Sequence, residues 1–131
     1  MNANELRIGN IIGMGRDGYE EGHGPYTVTD IDETHFGMVY DNGFRAKEQL
    51  RFAQGIPLTQ EWFFKFSNNK FFIRLSKEKE LDLYWVNNSV VIMRGEDDLL
   101  HDPQVKYVHE LQNIYFALTG KELTIIPPNK K

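Results

Sequence analysis

The stretch FFIRLSKEKELDLYWVNNSVVIM, residues 71–93, decides the fold class. Three runs within and beside it alternate. In 70–76, Phe71, Ile73 and Leu75 share one face, while Phe72, Arg74 and Ser76 share the other. In 81–86, Leu81, Leu83 and Trp85 fall together, and in 90–94 Val90 and Ile92 oppose Val91 and Met93. Successive side chains of a strand point to opposite faces, so a period of two predicts three strands. The connectors are Lys77 to Glu80 and the pair Asn87-Asn88, two residues that tolerate left-handed backbone. Turns this short join antiparallel neighbours only, because a parallel pair needs a long crossover. Residues 70–94 are therefore expected to form an antiparallel meander.

Towards the C-terminus the period changes. Tyr107, Val108, Leu111, Ile114, Tyr115 and Leu118 recur at helical spacing and predict a long amphipathic helix over 104–118 with one broad apolar stripe. Asp102-Pro103 would supply its N-cap and first position, and Gly120 its left-handed terminus. The stripe needs a sheet to rest on, since an isolated helix of this length is marginal in water. Glu122 to Ile126 is expected to close as a strand.

Towards the N-terminus, IPLTQEWFFKF at 56–66 predicts a short helix over 60–66, with Thr59 as N-cap and Glu61 facing the positive end of its dipole. At about 100° per residue, Trp62, Phe63 and Phe66 share a face, and Phe64 points away beside Lys65. Before it, frequent glycines separated by short apolar runs predict strands at 6–12, 26–31, 35–40 and 43–47, with Asp41-Asn42-Gly43 as a hairpin turn. The polar stretch 13–24 reads as a mobile loop. The segment LRIGN followed by Ile11-Ile12 reads as the entry to a small SH3-like barrel. The expected organisation is α+β, with an SH3-like β-barrel region over 1–55. A short linking helix, the meander and the C-terminal helix follow over 56–131, all in one compact unit.

Composition narrows the function classes. The 131 residues include no cysteine, which removes disulfides, thiolate metal sites and cysteine nucleophiles. Lys plus Arg is 15 and Asp plus Glu 19, a net charge of −4, with no basic run before Lys130-Lys131. A general nucleic-acid binder needs a basic field to release counterions, so no nucleic-acid partner is expected. The nine Phe, six Tyr and two Trp are then core filling rather than base-stacking platforms. No apolar run reaches the ~20 residues that span a bilayer. The acid in MNANELRIGN does not suit a signal peptide. A cytoplasmic location with no membrane partner is expected.

NELRIGN at 4–10 and YVHELQNIYFALTGKELTI at 107–125 resemble a group of small proteins of anaerobic gut bacteria and their phages or prophages. IPLTQEWFFKF is similar to a recurrent segment of that group that often continues with Gly-Phe, where this chain has Ser67. The resemblance covers about a third of the chain, in three pieces. It implies a cytoplasmic accessory protein of mobile-element origin, and carries no activity or site residue with it.

The patterns that bear chemistry are sparse. GMGRDG at 13–18 has G-x-G-x-x-G spacing, but Gly22, Gly24 and Pro25 forbid the helix that must follow, and Glu20 and Glu21 would repel phosphate. His101 with Glu96, Asp97, Asp98 and Asp102 is oxygen-rich, yet matches neither a zinc ligand set nor a calcium loop. His101-Asp102 and His109-Glu110 are sequence neighbours, which seldom face each other, and His109 reads as a boundary residue on the polar side of the last helix. Ser67, Ser76 and Ser89 lie in or near turns without a nucleophile-elbow pattern. No catalytic, cofactor-binding or metal-binding residue is assigned, and no cofactor is expected. The leading reading is a non-enzymatic module that binds a protein partner or itself, with Trp62 and Phe64 as candidate surface residues. The alternative is a small enzyme or ligand-binding protein with a site in a groove between barrel and meander.

Overall fold

The computed structural model describes residues 5–14, 25–40, 43–95, 98–101 and 104–126. Among the described residues it is a mixed α+β fold with two sheets of antiparallel strands and two α-helices. In chain order the elements are β1 (Ile11–Met14), β2 (Tyr26–Ile31), β3 (His35–Val39), β4 (Arg45–Gln49), a 3₁₀ turn (Leu50–Phe52) and β5 (Ala53–Gln54). They continue with α1 (Gln60–Ser67), β6 (Phe72–Ser76), β7 (Leu81–Val86), β8 (Ser89–Arg94), β9 (Asp98–His101) and α2 (Val108–Thr119). The chain divides into two compact units. One holds residues 1–57 with 107–109, and the other 58–106 with 110–131.

The first unit carries a five-stranded sheet of order β4-β3-β2-β1-β5. Leu6, Ile12, Tyr26, Val28, Phe36, Met38, Leu50 and Ala53 form its core. The expected strand over 6–12 starts late. Residues 7–10 turn instead, because Gly9 has φ 96° and the Asn10 side chain accepts the Arg7 amide at 2.6 Å, so that Asn10 is fully buried. Gly9 then donates to the Val28 carbonyl, and the Asn10 carbonyl accepts from Val28, which stitches the turn to β2. Gly13 and Met14, expected in a loop, belong to β1 and pair with Gln54 and Ala53. The expected strand over 43–47 lies at Arg45–Gln49. Gly43, at φ 87°, donates to Tyr40 between β3 and β4, while Asp41 and Asn42 lie outside the described residues. The Tyr26 and Tyr40 hydroxyls meet at 2.5 Å. Burial and this bond push the Tyr26 phenol up to about 12.

The second unit carries a sheet of order β6-β7-β8-β9. The β7–β8 hairpin pairs Val86 with Ser89 across Asn87 (φ 50°) and Asn88 (φ 62°), the two left-handed residues a tight hairpin turn requires. Strand β9 is an addition to the expected meander. One face of the sheet sets Ile73, Leu83, Trp85, Val90 and Ile92 in its core, and the Phe63 ring of α1 lies 5.6 Å from that of Trp85.

The helix expected over 104–118 begins four residues later. Gln104 has φ 57°, a left-handed backbone that no helix start accommodates, and Asp102-Pro103 lie outside the described residues. The Glu110 carboxylate accepts the Lys106 amide at 2.9 Å, satisfying a backbone donor just before the helix. Gly120 ends it at φ 73°, donating to Phe116 as expected of a left-handed terminus. Residues 122–126 form no strand. Instead the Ile126 amide donates to the Lys65 carbonyl near the end of α1, and Leu123 is buried with its carbonyl 3.4 Å from the Gln112 amide nitrogen. His109, expected on the polar side, is 4% exposed, and Gln112 beside the buried stripe is 2% exposed.

Candidate functional site

Thr59 caps α1 in extended backbone (φ −123°, ψ 169°), and its hydroxyl accepts the Trp62 amide at 3.3 Å. That fixes where the helix begins and therefore which way each ring points. Phe63 and Phe66 are buried. Trp62 is half-buried, with the Lys65 ammonium 4.2 Å over its ring and the Phe66 ring at 6.4 Å. Phe64 is half-buried on the other side, about 200° round the helix from Trp62. The structure therefore does not bring the two candidate surface residues together.

Phe64 instead meets Phe71, edge to face, with ring centres 5.0 Å apart and planes at 83°. Phe71 is 55% exposed. It precedes β6 rather than belonging to it, because Asn68 and Asn69 are both left-handed and turn the chain back beside the helix. The Ser67 hydroxyl ties this turn by donating to the Lys70 carbonyl and accepting the Lys70 amide. Simple alternation put Phe71 on one strand face with Ile73, so its exposure was not foreseen. The signal was the Asn68-Asn69 pair itself, which marks a helix stop and a change of direction.

The opposite face of the second sheet holds a cavity of about 410 Å³, lined by Phe72, Arg74, Lys77, Glu80, Asp82, Tyr84 and Gly95. A β-bulge creates it. Plain pairing inward from Ser76↔Leu81 would set Arg74 across from Leu83. The register shifts between Arg74 and Ser76, so Arg74 faces Asp82 and Phe72 faces Tyr84. Asp82 is 3% exposed, and its Oδ1 lies 2.6 Å from Nε of the half-exposed Arg74. The rings of Phe72 and Tyr84 are 5.8 Å apart at 31°, with the Lys70 ammonium 5.9 Å over Phe72. Glu80, at φ 54°, brings its turn to Gly95, whose amide donates to the Glu80 carbonyl. A second cavity, about 450 Å³, is largely apolar and lined by Leu75, Leu81, Ile92 and Leu118 with Ser76, Lys79 and Thr119.

The remaining expected constellations are dispersed or undescribed. Residues 15–24, with most of the glycine motif and His23, lie outside the described residues, as do Glu96, Asp97 and Asp102. His35 accepts or donates at 2.7 Å to the Thr34 hydroxyl, and Asp32 accepts the Thr34 and His35 amides, which holds its carboxyl below the usual range. His109 stacks on Tyr107, 5.8 Å between rings at 13°. Gly55 permits that stack, since a Cβ there would sit 2.6 Å from the Tyr107 ring. Among the described residues no group of three or more His, Asp or Glu side chains could hold a metal ion. No described helix is long and apolar enough to cross a membrane. Among protein-family models, curated proteins and solved structures, none matches this chain.

Proposed function

We propose that the chain is a non-enzymatic protein-interaction module of the cytoplasm, and that its docking corner is the pair Phe64 and Phe71. The observation that carries this is the 55% exposure of Phe71, held edge-on against Phe64. An exposed ring that is already positioned loses little side-chain entropy when a partner covers it. The pair presents a π face beside a ring edge, and these carry opposite partial charge. The same pair on a second copy is therefore complementary to it, the requirement of a two-fold interface. Self-association is the version the geometry supports best. The non-enzymatic reading is supported by the hydroxyls of Ser67 and Ser89, which are engaged with the backbone of their own turns. To this reading belong two finer expectations, an SH3-like barrel for the first unit and a mobile-element accessory role.

Phe71→Glu places a charge on the exposed ring position. Sedimentation velocity over a concentration series should show a reversible dimer for the parent chain and a monomer for the variant, with thermal unfolding little changed. A parent chain that stays monomeric at every concentration, or a variant that still dimerises, would refute the docking corner.

A further inference from the structure

We infer that the cavity on the outer face of the second sheet is a binding site for a neutral saccharide. Its volume, about 410 Å³, lies in the range of small-ligand sites. Phe72 and Tyr84 form a cross-strand floor of two rings. A π face is electron-rich, and the C–H face of a sugar ring, polarised by its hydroxyls, packs against it. Around the floor stand two cations, Arg74 and Lys77, and two carboxylates, Glu80 and Asp82. They supply donors and acceptors together, which suits vicinal hydroxyls that both give and take hydrogen bonds. The buried Asp82 keeps the Arg74 guanidinium close as an ion pair, Oδ1 to Nε 2.6 Å, while that oxygen makes no aligned hydrogen bond and so has accepting capacity left.

Charge selects among ligands that stack on rings. The four ionisable lining side chains sum to zero, and the Lys70 ammonium 5.9 Å over the Phe72 ring adds a single positive charge, too little to draw a polyanion by itself. Single-stranded nucleic acid could stack bases on Phe72 and Tyr84, but its phosphates would meet Glu80 and Asp82 on a chain of net charge −4. A neutral ring bearing hydroxyls meets no such opposition. This site is independent of the Phe64–Phe71 corner.

Amide-resolved NMR titrations with cellotetraose and with maltotetraose test the assignment. Saturable millimolar binding is expected with at least one of them, with shifts centred on Phe72, Arg74, Asp82 and Tyr84 and little dependence on salt. Tyr84→Ala should weaken it about tenfold or more, and Phe71→Glu should leave it unchanged. Glu80→Asn, which keeps a residue tolerant of the left-handed turn and removes a carboxylate, should also weaken binding, and serves if Tyr84→Ala does not fold. The inference is overturned by no shift with either sugar, or by sugar binding indifferent to both variants. Tighter, salt-dependent binding of an oligothymidylate to these amides also overturns it.

Discussion

The two helices bury themselves in different ways. Helix α1 is amphipathic around its axis: Phe63 and Phe66 are buried, while Gln60, Glu61 and Lys65 are exposed. Helix α2 is graded along its axis. Its first five residues include Val108, His109, Leu111 and Gln112, all buried over an arc of about 160°, whereas Phe116, Ala117 and Leu118 near its end are exposed. A helix laid on one surface obeys a stripe. A helix whose first turns are buried and whose last turn is half-exposed at a cavity rim does not, and polar residues are carried inside with it.

Four substitutions test that contrast. The largest effect is expected at the enclosed end of α2. Leu111→Asp puts an unpaired charge where a fully buried leucine packs. The cost should be about 5 kcal/mol or more, enough to unfold a chain of ordinary stability. Cooperative urea unfolding at an unchanged midpoint would break the comparison at its stronger side. Phe63→Ala removes the α1 ring that meets Trp85 and should cost about 4 kcal/mol. A loss under half of that would mean α1 rests on its surface more loosely than its burial implies. Thr59→Ala removes the cap hydroxyl and should cost about 1 kcal/mol, read from chemical denaturation. A comparably small change is expected near the end of α2, where Leu118 is 50% exposed at the rim of the apolar cavity. Leu118→Ser should cost no more than about 1 kcal/mol, and a larger loss would restore the stripe.

The same contrast explains what the sequence made legible. Helix α1 could be read because everything that positions it is local: the Thr59 cap, the first-turn Glu61 and the ring spacing. The buried anchors Val108 and Leu111 of α2 were legible from period alone. Its true start was not, because the left-handed Gln104 breaks no composition rule. His109 is buried where Gly55, remote in sequence, leaves room for its stack on Tyr107, and Gln112 is buried beside Leu123, past the end of the helix. Strand β9 was hidden in an acid-rich connector. The polar cavity was illegible for a sharper reason. Alternation correctly set Phe72 with Arg74 on one face, but only the bulge before Ser76 decides that they oppose Tyr84 and Asp82. A shift of one residue in register changes every cross-strand neighbour, and no periodicity reports it.

The strand orders of the two sheets bear on the sequence of folding events. In the second sheet every strand pairs with the next along the chain, so it can assemble as successive hairpins, each a microsecond-scale event. In the first sheet β5 pairs with β1, which closes a loop of roughly 40 residues. Among the described residues, the pairs Gly13↔Gln54 and Met14↔Ala53 reward that closure. Such a pairing forms late, since loop entropy must be overcome before its contacts return anything, and its amides exchange with solvent ahead of those in β2 and β3. The β1–β5 seam is thus where a nascent chain completes this sheet, and where a stressed molecule first lets it open.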